Sequence, residues 1–587
     1  MSTFVFRSRP AISHISTAVR KSLAGNLSLH RCTGTMSSQL KANGMSNGHM
    51  ASVLDERPVP PLGMVSGDFE QRAADVVKDI ANYYDTLHDR PVLPSIQPGY
   101  LQKLLPTSAP EEPESWSSIR SDIESKIMPG ITHWQSQKYM AFFPASSTYP
   151  SILAEMWSAA LTAANFNWIC SPAVTELENV VMDWMAKALH LPSQFLSNGT
   201  GGGVIQGSAS EAVATVMIAA RERYLKTLTA DKTFSSDEER EDFEFTMRGK
   251  MVALSSSETH SSAKKAATIT GVRFRSIPAT AEHNFSLQAS SVRSTLESLT
   301  APGLHPFQLT VTLGTTNTCA IDDFAAIAAL KADYPNLWIH VDAAYAGAAL
   351  ILPEFAHLTQ HFPSFDSFDM NMHKWLLVNF DCSLLYVQNR RDLTDALSVT
   401  PAYLRNAYTD SGLVTDYRDW QIPLGRRFRA LKIWFVARTY GLKGMREHIR
   451  HHLRLGDLFA SLVRSRQDLF AILTPPAFAL TVLTVKPSEK ARVEVQNGEA
   501  DPRPYEESEK LGVEGDEGVK EANEVTKEVY EVIDGEKEIF LTASVIGGVY
   551  AIRVVSANPL AEEKYVRRAF DVLVEATERV LEKRRKA

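Results

Sequence analysis

The stretch FDMNMHKWLLVNFDC, residues 368–382, sets His373 and Lys374 directly ahead of an apolar run. Lysine is seldom buried without a partner. Held away from water, its amine loses affinity for the proton and becomes a nucleophile toward carbonyl groups. The plainer reading is a surface lysine whose stem lies along apolar neighbours. Which of the two holds depends on what else converges on the same place.

Three further groups have suitable types and positions. The segment GTGGGVIQGSASEAVATVMIAARERY (199–224) leads from glycines into Ser208, Ala209 and Ser210, then into a long amphipathic helix. The free N–H groups and positive dipole end of such a helix start suit a phosphate. An ordinary serine cap has the same look, and neither the P-loop nor the dinucleotide glycine pattern is present. Asp342 closes the run LWIHVD (337–342), at a strand end where open α/β sheets bind ligands. It suits a metal ligand, a salt-bridge partner or an acid that keeps a ring nitrogen protonated; no second carboxylate stands at metal-ligand spacing. His260, in SSSETHSSAKKA (255–266), falls after the strand-like MVAL (251–254). A lone histidine is more often structural, so its weight comes from the company it keeps.

One cofactor needs all four parts. Pyridoxal 5'-phosphate requires a phosphate cradle, an acid for its ring nitrogen, a flat group on its ring face and a lysine for its aldehyde. On this reading Lys374 is the aldehyde-binding lysine.

Alternating elements must bring these groups together. Residues 68–87 have helical spacing, and proline-rich connections run through 113. From about 149 to 431, near-continuous apolar runs (MVAL, FQLTVTL at 307–313, LWIHVD) alternate with helical patterns. This predicts an α/β fold whose mostly parallel sheet is covered on both faces. Beyond 432 comes a smaller region of helix, strand and helix. The acidic, apolar-poor stretch 487–522 reads as a disordered insertion within it.

Bulk properties narrow the classes further. The 587 residues are 44% hydrophobic and 22% charged, with net charge -7, so no basic field for nucleic acid exists. The four cysteines, Cys32, Cys170, Cys319 and Cys382, show no metal-ligand pairing and fit free thiols in a reducing compartment. No apolar run reaches the roughly 18 residues of a membrane span. Residues 1–54 lack Asp and Glu but carry Arg7, Arg9, Arg20, Lys21, Arg31 and Lys41. A cytoplasmic protein with a disordered leader over 1–63 is expected, and a mitochondrial presequence is the alternative.

The motifs IMPGITHW (127–134), SPAVTELENVVMDW (171–184), GGVIQGSASEA (202–212), HVDAAYAG (340–347), HKWLLVNFDCS (373–383) and DWQIPLGRRFRALKIWFV (419–436) resemble the pyridoxal-phosphate aromatic L-amino-acid decarboxylases of group II. The resemblance runs from about 64 to 486 and resumes near 549–555. It implies a fold-type I homodimer with shared active sites. An arm (64–148), a cofactor domain (149–431) and a small C-terminal α+β domain (432–587) would make up each chain.

Carried over residue by residue, the resemblance gives Ser208, Ala209 and Asn371 to the phosphate, with Leu424 and Gly425 from the other chain. It stacks His260 on the ring, pairs Asp342 with the ring nitrogen and sets Thr316 beside it. Trp134, Phe142, Phe143, Pro144, Phe380 and the other chain's Phe166 wall the substrate pocket, with Arg553 on its small-domain side. Tyr403, in a mobile loop, delivers a proton to Cα together with His260. Met372, Phe142 and Ala145 depart from the family's usual proline, tyrosine and threonine. Gly425, where histidine and tyrosine decarboxylases commonly carry serine, favours tryptophan, with phenylalanine, tyrosine or DOPA as alternatives. An aromatic aldehyde synthase is the rival activity, and an inactive cofactor-binding scaffold the rival from another class.

Overall fold

In a computed structural model, the structure describes residues 64–399, 408, 414–487 and 517–586. Tyr403, the leader 1–63 and residues 488–516 of the acidic stretch lie outside them. The chain divides into two units, residues 1–79 and 80–587. The first holds most of a helix, Ser66–Asp85, whose continuation opens the second.

Among the described residues, eleven strands form two sheets within the second unit. They are β1 (Gly202–Gln206), β2 (Met251–Ser256), β3 (Arg273–Ile277), β4 (His305–Thr312), β5 (Trp338–Asp342), β6 (Ser367–Asn371), β7 (Ser383–Val387), β8 (Phe470–Ile472), β9 (Leu480–Val485), β10 (Thr542–Ile546) and β11 (Val549–Val555). The large sheet runs β1-β7-β6-β5-β4-β2-β3. It is parallel from β6 through β3, while β7 lies antiparallel between β1 and β6. The small sheet runs β10-β11-β9-β8 and is antiparallel.

Burial on both faces explains the continuous apolar runs: every residue of β1, β2, β5, β6 and β7 is buried. Ile339, Val341, Phe368 and Met370 enter one core, and Trp338 and Leu385 enter another with Ala212, Val213 and Val216 of the helix Ala209–Thr229. The small sheet packs with helices Glu517–Glu536 and Glu563–Lys586 around Leu483, Ile552 and Leu573. Residues 517–522, expected to belong to the disordered insertion, instead begin a helix. Val519, Ala522, Val525 and Val529 recur at helical spacing and are buried, which outweighs the acidic composition around them. Among the described residues, no helix is long and apolar enough to cross a membrane.

Candidate active site

Lys374 follows β6 on a single helical turn, Met372–Trp375. Segment 146–148 ties this turn down: the Ser146 N–H and hydroxyl donate to the carbonyls of His373 (2.7 Å) and Lys374 (2.9 Å), and the Thr148 hydroxyl donates to that of Leu377 (2.8 Å). The amine stands 5.6 Å from the centre of the Phe143 ring. Although Lys374 keeps partial solvent access, desolvation by its surroundings lowers its pKa from the usual lysine range, against the opposing pull of Asp342, Asp369 and Cys319. Behind Phe143, Tyr345 stacks at 3.7 Å and Trp375 stacks on Tyr345 at 4.8 Å. The Trp375 indole N–H then donates to His452 Nδ1 at 2.9 Å.

Asp342 ends β5, buried, its Oδ1 accepting the Ala344 N–H at 3.0 Å. In register beside it on β6 lies Asp369, fully buried, bonded at 3.0 Å to His340 Nε2. His340 Nδ1 meets the Ser367 hydroxyl at 2.8 Å. Burial, and then the neighbouring Asp342, push Asp369 up to about 7.

His260 is exposed in the open site, yet the walls around it desolvate the ring enough to lower its pKa. Asp342 raises it and Lys374 lowers it, which brings all three groups into mutual electrostatic range. The Ser262 N–H donates to His260 Nδ1 at 3.2 Å, so the neutral ring carries its proton on Nε2. Burial holds His373, next to Lys374 in the chain, much lower, at about 3, where its Nδ1 accepts the Cys382 N–H.

Ser208 caps the helix Ala209–Thr229, its hydroxyl accepting the Glu211 N–H at 3.2 Å. Glu211 reaches back to the Gly207 N–H at 2.8 Å. A Cβ on Gly207 would lie 2.8 Å from that carboxylate oxygen, so a larger residue there would push the flexible Glu211 side chain off this N–H. Ala209 N–H donates to Asn371 Oδ1 at 3.1 Å, joining the helix start to the end of β6.

Phe142 adopts φ +49°, unusual for a residue with a Cβ, and its ring stacks on Trp134 at 5.9 Å and meets Phe540 edge-on at 6.0 Å. Pro144 is buried, and exposed Phe380 lies 4.3 Å from the His373 ring. Arg553 is only 4% exposed: its guanidinium donates to the carbonyls of Thr316 (2.6 Å) and Asn317 (3.1 Å) and to the Thr542 hydroxyl (3.2 Å). It therefore braces the Thr316 loop and faces Phe143 at 5.6 Å.

Phe166 accepts the Arg418 N–H at its carbonyl (3.1 Å). Arg426 N–H donates to the Ala164 carbonyl at 2.7 Å, and Leu424 and Gly425 are exposed. Sequence reasoning missed Tyr345, Trp375, Asp369, Glu258 and Asn317; the first four stand inside quoted stretches, but nothing in their spacing marks them, nor does it mark Asn317. Among the described residues, no three His, Cys, Asp or Glu side chains gather to hold a metal.

The residues fit pyridoxal 5'-phosphate: a capped helix start for an anion, a buried strand-end acid for a ring nitrogen, and a desolvated amine for an aldehyde. The family described as the pyridoxal-dependent decarboxylase conserved domain matches residues 98–486. An aromatic-L-amino-acid decarboxylase of Rattus norvegicus is 46% identical over 73% of this chain and 87% of its own length. A phenylacetaldehyde synthase of Arabidopsis thaliana is 40% identical over 92% of this chain and 99% of its own. The crystal structure of Oryza sativa TDC with PLP and tryptamine superposes with a TM-score of 0.79 at 33% identity, covering 89% of this chain and 99% of that one.

Proposed function

The chain belongs to the pyridoxal-dependent decarboxylases, and from that premise we propose that it removes carbon dioxide from an aromatic L-amino acid, tryptophan foremost, and leaves the arylalkylamine. The observation that carries the reading is the placement of the Lys374 amine, its pKa lowered by burial, within electrostatic range of Asp342 and His260.

When bound, pyridoxal 5'-phosphate supplies the electron-withdrawing ring that takes up the electron pair left at Cα. Ser208 and Ala209, at the helix start, and Asn371 hold the phosphate, with Leu424 and Gly425 of the partner subunit. Asp342 pairs with the ring nitrogen, His260 covers the ring face, and Thr316 flanks it. Lys374 would hold the cofactor's aldehyde. Trp134, Phe142, Phe143, Pro144 and Phe380 exclude water from the side-chain pocket, which the partner subunit's Phe166 completes. Arg553 shapes this wall through the Thr316 loop. Tyr403 delivers the proton to Cα, with His260 beside it.

A homodimer with shared sites accords with the exposed apolar residues Leu153, Met156, Trp157, Val180 and Trp184, 42–57% exposed. A cytoplasmic location is preferred; sequencing the N-terminus of protein isolated from cells distinguishes it from import through a cleaved leader.

The Arabidopsis likeness supports a second reading, oxidative release of an aldehyde. Incubation of purified holoenzyme with tryptophan, phenylalanine, tyrosine and DOPA, scoring amine, aldehyde, ammonia and peroxide, separates the two. Amine from tryptophan at the highest kcat/KM supports the first. Borohydride reduction fixes the cofactor to Lys374, and label on another lysine overturns the site.

A further inference from the structure

The small sheet reaches the active-site loops through Arg553, on Thr316, and through Asn317. Asn317 sits in the loop after β4, one residue beyond Thr316. Its Oδ1 accepts the hydroxyl of Ser544 on β10 at 3.1 Å, and its carbonyl accepts Arg553 Nε from β11 at 3.1 Å. On the other side, its Nδ2 donates to Glu258 Oε2 at 3.2 Å. Glu258 stands two residues before His260, in the loop that follows β2, and is 6% exposed. That loop is anchored on its sheet side as well: Glu258 N–H donates to the Ser256 hydroxyl at 2.9 Å, and the Thr259 and Thr312 hydroxyls meet at 3.3 Å.

The Asn317 amide is thus used at both ends, oxygen toward the small sheet and nitrogen toward Glu258. An amide suits this place because the two neighbours make opposite demands. The Ser544 hydroxyl needs an acceptor, and the Glu258 carboxylate needs a donor. Leaving the buried Glu258 carboxylate unmatched costs more than the bond itself contributes, whereas Ser544 is only half-buried. Small-sheet strands, the Thr316 loop and the His260 loop are therefore held as one assembly by a side chain that touches neither substrate nor cofactor.

We propose that Asn317 and Glu258 are positioning residues that transmit the seating of the small sheet to His260 and so set how firmly that ring covers the cofactor. The inference rests on the assignment of His260 to the cofactor face made above.

Exchange of donor and acceptor tests it. N317D places two carboxylates against each other, whereas N317D together with E258Q restores a donor–acceptor pair with its direction reversed. Release of pyridoxal 5'-phosphate from holoenzyme, chased with excess aldehyde trap and followed by absorbance, is measured for wild type, both single variants and the double. N317D should release the cofactor about tenfold faster, a coupling typical of contacting polar pairs, and the double variant should recover most of that loss. Thermal midpoints recorded alongside identify simple unfolding. Should N317D not fold, N317A serves: it removes both side-chain contacts without adding charge, and its faster release should not be restored by E258Q.

Wild-type release from N317D and N317A, or a double variant no better than N317D, overturns the relay. H260Q separates this from the underlying assignment. Faster release in H260Q with unchanged N317D defeats the relay alone, while unchanged release in H260Q defeats the placement of His260 on the ring and the relay with it.

Discussion

Asn371 Oδ1 accepts the backbone N–H of Ala209 at 3.1 Å, a bond across 162 residues of chain that joins the end of β6 to the first turn of a helix. Because the amide oxygen is committed to the protein, its Nδ2 is the end left to donate to an anion. The residue is thereby oriented before any ligand arrives.

Asn371→Asp should keep the bond to Ala209 and lose the donor, adding a negative charge where a phosphate is to sit. Affinity of the apo-protein for pyridoxal 5'-phosphate, measured by absorbance titration, should fall at least about tenfold, in line with hydrogen bonds to charged groups. Unchanged affinity would remove Asn371 from the phosphate site.

Asp369 predicts a stability that depends on pH in an unusual sense. An unfolded aspartate titrates near pH 4, whereas burial and then Asp342 push Asp369 up to about 7 in the fold. Between those values the folded protein binds more protons than the unfolded chain, so this group's contribution to stability declines as pH rises through the window. Asp369→Asn removes the titration and can still bond His340. Its thermal midpoint should fall less than that of wild type from pH 5 to 8, with parallel curves counting against the assignment.

Gly425→Ser should turn preference away from indole toward smaller rings. A Cβ at Gly425 would have only the Ala164 carbonyl oxygen within 4 Å, at 3.9 Å, so the chain accepts the change without local strain. Such a steric alteration typically shifts discrimination by about 1–3 kcal/mol, read from kcat/KM for tryptophan against tyrosine. A constant ratio would show that ring size is set elsewhere.

Tyr403→Phe keeps the ring and deletes the hydroxyl proposed to protonate Cα. A positioned acid contributes about 10²–10⁴-fold to such a step, so its loss leaves the electron pair available to oxygen. Carbon dioxide should still be released, with aldehyde, ammonia and peroxide replacing most of the amine at matched cofactor loading. Continued amine formation without oxygen uptake would assign the proton to another donor.

The sequence was most informative where chemistry coincides with a strand end. Asp342 follows a continuous apolar run, and a buried parallel strand both produces that run and points its last residue at the ligand edge, while Lys374 stands on the turn after the next strand, ahead of its own apolar run. His260 was visible for the same reason. Asn317 and Glu258 were not, because each joins a loop to a partner distant in sequence and neither has a periodic pattern. The bracing role of Arg553 was not legible, since only the fold reveals that carbonyls of Thr316 and Asn317 occupy its donors. Residues 517–522 were misread because composition over a window hid an apolar stripe at helical spacing.

The antiparallel strand β7 has a consequence for what the protein can hold. Gln206 at the end of β1 and Asn371 at the end of β6 both pair with Ser383, one on each side. The two strand ends therefore leave the sheet abreast, two strand spacings or about 10 Å apart, and the Ala209–Asn371 bond at 3.1 Å closes the gap between the helix start and the lysine turn. Backbone ladders fix where both elements begin, so side-chain replacements around the substrate ring leave that junction in place.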